Sequence, residues 1–215
     1  IKFYQASSSE MFGKSKPPQN EKTLFQPRSV YAISKVFAYH SVIHYREAYN
    51  VHACNGILFN HESPRRGVNF VTKKIIQGLT RIKNGKQKIL VLGNLYSRRD
   101  WGHAKDYVES MWRILQQKKP DDFVIATRTS HSVKDFINIS AKKIGIKLIW
   151  KNKGLKEVGI DKTNNKTIIT VNKKYFRETE VDDLIGDYSK AKRLLKWKPK
   201  YSFNALVDDM IKNEK

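Results

Sequence analysis

The sequence predicts an α/β protein, because short apolar runs alternate with longer segments of helical periodicity along the chain. Residues 51–59 form a nearly continuous apolar run, which is typical of a parallel strand that is buried on both faces, and residues 2–7 are predicted to form a buried strand as well. A long helical segment separates these two segments. The alternation favours the end of a doubly wound α/β domain, combined with a smaller α/β lobe, and ligands of such sheets bind at the carboxyl ends of the strands.

The remaining elements follow from the same patterns. Pro17, Pro18 and Pro27 mark residues 11–27 as a loop. Ser132 and Asp135 have the spacing of a capping box, which predicts the start of a helix. We expect helices at about 29–49, 70–83, 104–117, 132–144, 189–196 and from 203, strands at 88–92 and 123–127, and strands of a smaller region within 146–172.

A net charge of +22 over 215 residues would by itself favour a polyanionic partner such as nucleic acid. However, lysine is spread along the chain, and the sequence contains no helix-turn-helix, zinc-finger or RNP-like motif. We therefore expect no nucleic-acid partner. The charge instead predicts an electrostatic field that attracts an anionic substrate.

The sequence contains one cysteine, Cys54, which has no partner for a disulfide within the chain. A reducing compartment is then the default, and we expect a cytoplasmic protein. No apolar stretch approaches the roughly 18 residues that cross a bilayer, so we expect no membrane partner. No group of His, Cys and carboxylate residues has the spacing of metal ligands, so we expect no metal.

The main candidate for chemistry is a tyrosine and a lysine in the long predicted helix. Tyr31 and Lys35 are four residues apart and therefore project from one helix face. The ammonium would lower the pKa of the phenol, and a phenolate can take a proton from a sugar hydroxyl while hydride leaves for a nicotinamide. A solvated pair on an ordinary helix has the same spacing. The neighbouring segments SSSE (7–10) and NHESPRRG (60–67) favour the catalytic interpretation.

These segments resemble the GDP-mannose 4,6-dehydratases, a family of extended short-chain dehydrogenases/reductases. The resemblance covers nearly the whole chain and is weak at 150–172. It implies the C-terminal part of a Rossmann-like doubly wound parallel sheet plus a smaller α/β substrate-binding lobe. Residues 1–60 would belong to the dinucleotide-binding domain that contains this sheet. Residues 61–215 would belong mainly to the substrate-binding lobe, with segments that return to the sheet. The matching stretches are FYQASSSEMFG, PRSVYAISKVFAY, YREAYNVHACNGILFNHESPRRGVNFVTKKI, LGNLYSRRDWGHAKDYVESMW and KKYFRETEVDDLIGDYSKAKRLLKWKP.

The resemblance also identifies a missing feature. Enzymes of this kind begin with a strand, a glycine-rich turn and a helix that hold the dinucleotide pyrophosphate. This chain has no G-x-G-x-x-G string and starts at Ile1. We therefore expect a fragment that lacks roughly the first half of the dinucleotide-binding domain, binds NADP poorly and is inactive alone.

For the parent protein, the resemblance implies a redox-neutral reaction of GDP-mannose with NADP as cofactor. Tyr31 would act as the base during oxidation at C4, and Ser8 would hydrogen-bond the 4-hydroxyl. Glu10 would take the C5 proton and assist the loss of water from C6, and hydride would return to C6. The product would be GDP-4-keto-6-deoxymannose. Such enzymes assemble as homodimers or homotetramers.

The resemblance assigns further residues to binding. Lys35, His61 and Arg66 would join Tyr31 in binding the cofactor. In the VTKKI segment the choice between Lys73 and Lys74 stays open. The candidates for binding the nucleotide sugar are Asn60, Lys74, Arg99 and Arg177.

Two alternatives remain at this point. The first is another nucleotide-sugar dehydratase or an epimerase; Glu10 argues against the epimerase, because epimerases of this kind usually lack a carboxylate there. Ser9 and the NHESPRRG segment argue against a glucose-type dehydratase, which carries aspartate at the position of Ser9. The second alternative is a non-catalytic binding module, which the absent glycine-rich turn favours for the isolated chain.

Overall fold

The computed structural model describes residues 1–176, 179, 181 and 183–214. The chain divides into two compact units. Unit 1 consists of residues 1–61, 99–130 and 181–202, and unit 2 of the described residues within 62–98, 131–180 and 203–215. In the described part of the chain, no helix has the length and apolar character that a membrane span requires.

The helices and strands alternate, as the sequence predicts. The helices are α1 (Val30–Tyr49), α2 (Val71–Lys83), α3 (Ala104–Leu115), α4 (Val133–Ile144), α5 (Ser189–Leu194) and α6 (Phe203–Lys212). The strands are β1 (Lys2–Ser8), β2 (His52–Leu58), β3 (Asn60–Glu62), β4 (Leu90–Leu92), β5 (Arg98–His103), β6 (Asp122–Ile125), β7 (Ser130–Ser132), β8 (Leu148–Lys151), β9 (Val158–Asp161), β10 (Lys166–Val171) and β11 (Asp183–Leu184).

The main sheet of unit 1 has the order β1-β2-β6, and both pairings are parallel. Apolar clusters cover both faces, which explains why β2 is an almost continuous apolar run. On the face of the sheet that α1 covers, Ile57 and Phe59 pack with Met11, Phe12 and Tyr39. The opposite face is covered by a second cluster of Cys54, Leu58, Tyr107, Ile114, Phe123, Ile125, Ala191, Leu195 and Trp197. The α/β prediction is confirmed.

A buried polar network attaches α1 to the sheet. Asp122, at the start of β6, accepts hydrogen bonds from the guanidinium of Arg46 and, at 3.2 Å, from the hydroxyl of Tyr39. Its carboxylate also accepts from the side-chain amide of Asn55 in β2, at 2.9 Å. Asn55 in turn accepts from the hydroxyl of Ser7 in β1, at 3.1 Å. The network therefore fixes the axial position of α1 relative to all three strands.

Two polar side chains, the buried Gln19 and the half-buried Glu21, attach the predicted loop at 11–27 to the rest of unit 1. Gln19 is fully buried, donates to the carbonyl of Ser15 and accepts from the backbone of Ile185 at 3.0 Å. Glu21 accepts the backbone N–H of Val124 in β6, at 2.8 Å. The carboxylate thereby satisfies a donor at the outer edge of the sheet, and burial raises the pKa of Glu21.

Unit 2 contains a four-stranded sheet of order β4-β10-β9-β8. The β4–β10 pair is parallel, and the pairs β10–β9 and β9–β8 are antiparallel. Helix α4 packs against α2 and α6. Ser132 caps α4: its hydroxyl accepts from the backbone of Asp135, and Asp135 accepts from the backbone of Ser132. The predicted capping box is confirmed.

Five of the described strands are absent from the sequence prediction: β3, β5, β7, β9 and β11. Strand β5 is rich in charged residues, which are typical of loops, yet Arg99 and Asp100 are buried in it. Their polar groups are satisfied by hydrogen bonds instead of water. Strand β9 is only four residues long and follows a Lys- and Gly-rich turn that obscures it.

The network at Asp122 leads to a stability prediction. The Asp122→Ala substitution leaves the largely buried Arg46 without its partner, so we expect the free energy of unfolding to fall by about 3–5 kcal/mol. The neighbouring Asp121 forms an ion pair with Lys190 and is 43% exposed. Because exposed pairs contribute little, Asp121→Ala is the control and should cost less than about 1 kcal/mol. Urea denaturation of both variants measures the difference, and equal losses would contradict the assigned role of Asp122.

Candidate active site

The candidate site in unit 1 lies at the carboxyl edge of the sheet. Because β1, β2 and β6 are parallel, their carboxyl ends meet at one edge. Ser8 is the last residue of β1, and Asn60 and His61 follow the end of β2. The predicted residues of these two segments are therefore brought to the same edge.

Ser8 and Glu10 are held together by a short 3₁₀ helix, Ser9–Met11. The hydroxyl oxygen of Ser8 accepts the backbone N–H of Glu10 at 3.2 Å. In the described structure the Ser8 hydroxyl donates to no protein group, so its hydrogen is available to a ligand oxygen. The Glu10 side chain is half-buried, and α1 packs against the short helix that carries it.

Tyr31 lies in the first turn of α1 and is 54% exposed. Its helix begins there because Ser29 caps it, accepting the backbone N–H of Ala32 at 3.1 Å. The ammonium of Lys35 lies 5.7 Å from the centre of the Tyr31 ring and donates to the carbonyl of Ala6 at 2.9 Å. Because Ala6 is two residues before Ser8, this bond ties the Tyr31–Lys35 pair to the end of β1.

Asn60 and His61 lie at the same edge of the sheet. The side-chain oxygen of Asn60 is buried and has no donor within the described structure. His61 contacts the carbonyl of Phe59 through Nδ1 at 2.9 Å and stacks on Tyr107. Since a carbonyl can only accept, we assign the hydrogen to Nδ1, which leaves Nε2 as an acceptor.

Arg99 is buried, unlike a binding residue on an open surface. It is only 9% exposed, and its guanidinium donates to the carbonyl of Val181 at 2.7 Å. The next residue, Asp100, was not predicted. It is fully buried and accepts from Thr127, Arg128 and the backbone of Gly186. Burial raises the pKa of Asp100 to about 6, and these hydrogen bonds oppose the shift.

The predicted residues Arg66 and Lys74 belong to unit 2. Arg66 forms an ion pair with Glu62 at 2.9 Å, and its guanidinium lies 3.5 Å from the centre of the Phe70 ring. Glu62 also accepts from the Thr72 hydroxyl. Burial raises the pKa of Glu62, whereas Arg66 and Thr72 favour its carboxylate. Arg66 is thus held between the Glu62 carboxylate and the Phe70 ring.

The structure distinguishes the two adjacent lysines of α2. Lys73 is buried and donates to Glu214 at 2.6 Å and to the carbonyl of Pro64 at 3.0 Å. Lys74 is half-buried, and its ammonium lies 4.1 Å from the centre of the Tyr175 ring. Lys73 has a structural partner, and Lys74 is the better candidate for a ligand.

Arg177, the remaining predicted residue, lies outside the described residues. Unit 2 also has an open cavity of about 560 Å³ between α4 and β8, lined by Asn138, Lys142 and Trp150 among others. None of the predicted site residues lines this cavity.

The residues present fit only part of a dinucleotide. The exposed phenol of Tyr31 and the ammonium of Lys35 share one helix face and could hold the nicotinamide ribose, as the resemblance implies. The chain has no glycine-rich turn for the pyrophosphate. The fit is therefore confined to the nicotinamide end of the cofactor.

Comparison with known sequences gives the family. The sequence profile of the GDP-mannose 4,6-dehydratases matches residues 1–210. The GDP-mannose 4,6-dehydratase of Drosophila melanogaster is 54% identical over 99% of the chain, and that of Homo sapiens is 53% identical over 98%. The chain spans only about half the length of these curated relatives, 54% and 57% respectively.

Solved structures agree on the fold. RMD from Pseudomonas aeruginosa, solved with NADPH, superposes with a TM-score of 0.82 at 18% identity. The dTDP-glucose 4,6-dehydratase of Bacillus anthracis, solved with NAD, gives a TM-score of 0.79 at 19% identity. Each match covers 99% of this chain, and 66% and 61% of those chains. At such low identity these matches establish the Rossmann-like fold alone. Together with the sequence match, they lead to one conclusion: the chain belongs to the GDP-mannose 4,6-dehydratase family.

Proposed function

We propose that the protein to which this chain belongs converts GDP-mannose to GDP-4-keto-6-deoxymannose and water, with NADP as its cofactor. The observation that carries the proposal is the pairing of two catalytic sets in unit 1. The Lys35 ammonium bonds the carbonyl of Ala6, so Tyr31 and Lys35 lie beside the strand that ends in Ser8 and leads to Glu10.

Tyr31 acts as the base that takes the proton of the 4-hydroxyl. Its exposure leaves the phenol oxygen accessible to a sugar, and the Lys35 ammonium stabilises negative charge that develops on it. The free hydrogen of the Ser8 hydroxyl donates to the oxygen at C4. NADP, when bound, supplies the nicotinamide that accepts hydride from C4 and returns it to C6.

Glu10 performs the elimination. A ketone at C4 acidifies the C5 proton, and the Glu10 carboxylate removes it. The carboxylic acid formed then gives this proton to the departing C6 hydroxyl, which leaves as water. The return of hydride to C6 requires a proton at C5, which balances the proton that Tyr31 took from the 4-hydroxyl. The elimination separates a dehydratase from an epimerase, which needs no carboxylate here. Asn60 and Lys74 are proposed to bind the nucleotide sugar, together with Arg99 and Arg177, and His61 and Arg66 to bind the cofactor.

We also propose a cytoplasmic location and assembly as a homodimer or homotetramer, without nucleic-acid or membrane partners. The family's activity and the single buried Cys54 support this proposal.

The next two substitutions are made in a longer form that adds a glycine-rich strand-turn-helix segment before Ile1, because the 215-residue chain alone is expected to be inactive. The Tyr31→Phe substitution should abolish the first oxidation. It removes the base and leaves the ring, so we expect turnover to fall at least about 100-fold. Absorbance of the reduced nicotinamide after mixing with GDP-mannose measures this step. Tyr45→Phe, at an exposed tyrosine of the same helix, is the control and should retain activity. Normal oxidation by Tyr31→Phe would exclude Tyr31 as the base.

The Glu10→Gln substitution should allow oxidation at C4 and stop before water loss. We expect reduced nicotinamide to accumulate, and the C5 proton to exchange with deuterated water at least about 100-fold more slowly. Mass spectrometry of recovered sugar nucleotide measures the exchange. Glu47→Gln, at an exposed site of α1, is the control. Normal turnover in Glu10→Gln would rule out its assigned role.

The 215-residue chain should bind NADP weakly and turn over little GDP-mannose, because it lacks the glycine-rich turn. A longer form that adds a glycine-rich strand-turn-helix segment before Ile1 should be active. Product formation by chromatography compares the two forms. Inactivity of the longer form would refute the proposed enzyme activity, whereas full activity of the short chain would refute the need for that segment.

A further inference from the structure

Arg128 has an unusual backbone conformation. Five described residues other than glycine have positive φ, and three of them are asparagines, which tolerate this region. The other two are cationic: Arg128, with φ +66°, and Lys196, with φ +53°. A long side chain in this conformation is unfavourable, and such strain is concentrated at functional sites.

The backbone of Arg128 is held in place by the buried Asp100. The Asp100 carboxylate accepts from the backbone N–H of Arg128 at 2.9 Å and of Thr127 at 2.8 Å. It also accepts from the Thr127 hydroxyl at 2.6 Å and from the backbone of Gly186 at 3.2 Å. Four donors on one fully buried carboxylate fix the loop after β6, including its strained residue.

The guanidinium of Arg128 is left largely available. The side chain is 60% exposed, and among the described residues it pairs with Asp187 at 3.9 Å. That distance exceeds a hydrogen bond. The same Asp187 oxygen accepts from the backbone and the hydroxyl of Ser189. The Arg128 donors are therefore not used up by this weak pair.

Arg128 lies at the carboxyl edge of the sheet. It follows the end of β6 by three residues, and the neighbouring β2 is joined to β6 there by the bond from Phe59 N–H to the Ile125 carbonyl, at 3.0 Å. The segment that continues from Phe59 carries Asn60 and His61. Arg128 therefore belongs to the edge of the sheet at which ligands of parallel sheets bind.

We infer that Arg128 is a further phosphate-binding residue of the proposed active site, and that Asp100 acts as its positioning residue. This inference rests on the proposed function. The guanidinium fork matches phosphate oxygens, which occur both in the diphosphate of the nucleotide sugar and in the dinucleotide. The unfavourable φ of Arg128 accompanies a backbone that Asp100 holds in place, so the charge starts from a fixed position.

The test compares Arg128→Gly with Lys196→Gly. Lys196 has the same backbone strain but bonds the Arg113 side chain through its carbonyl, and Arg113 lies near the C-terminal end of α3. Glycine relieves the strain at both positions, so the melting temperature of each variant should equal the original or exceed it by up to about 3 °C. Only Arg128→Gly should weaken binding.

Calorimetric titration of the 215-residue chain with GDP gives the first affinity readout. Loss of one charge-assisted phosphate contact should raise the Kd about tenfold in Arg128→Gly and leave it unchanged in Lys196→Gly. Arg128→Asn keeps the left-handed preference without the charge and should match Arg128→Gly. Arg128→Lys keeps the charge and should recover part of the affinity.

Kinetics of the longer form identify the source of the phosphate. A rise in KM confined to GDP-mannose assigns Arg128 to the nucleotide sugar, and a rise confined to NADP assigns it to the dinucleotide. Unchanged GDP affinity with both KM values unchanged would overturn the inference. So would a melting temperature that falls in Arg128→Gly but not in Lys196→Gly, or a failure of the unsubstituted protein to bind either ligand. If GDP binding depends on Arg128 but the longer form does not turn over, only the proposed function fails.

Discussion

The attachment of α1 to the parallel sheet is the constraint on which the candidate site depends. Tyr31 and Lys35 belong to the helix, whereas Ser8 and Glu10 belong to the strand end, so their separation depends on how the helix is held. Asp122 and Asn55 join α1 to β2 and β6 in the interior, and the bond from Lys35 to Ala6 joins its first turns to β1. The Asp122 and Asn55 contacts lie in the interior of unit 1, and the Lys35–Ala6 bond lies beside the candidate catalytic residues.

Much of the fold could be read from the sequence because hydrophobic periodicity is a local signal. The alternation of apolar runs with helical segments gave every long helix, and the Ser132–Asp135 spacing gave the start of α4. Strand β5 escaped prediction because its burial depends on partners distant in sequence. Arg99 bonds Val181, and Asp100 bonds Thr127 and Gly186, and no local pattern encodes such contacts.

The sequence also named the residues of the candidate site, whose roles stay predictions. Motif spacing places Tyr31 and Lys35 on one helix face, and the family resemblance adds Ser8 and Glu10. The sequence could not separate Lys73 from Lys74, because the distinction rests on Glu214, which is 141 positions away from Lys73 in the chain. The positive φ of Arg128 could not be predicted either, because it leaves no mark in a Thr-Arg-Thr segment.

The contact of Glu21 with β6 makes the two borders of the main sheet chemically unequal. At β6, a carboxylate occupies the backbone donor of Val124, so this border repels a further strand. At β1, the outer border is unpaired within the described residues, and the neighbouring Phe3 is 47% exposed. The described sheet therefore has an accessible border at β1, whereas the Glu21 carboxylate disfavours the addition of a strand at β6.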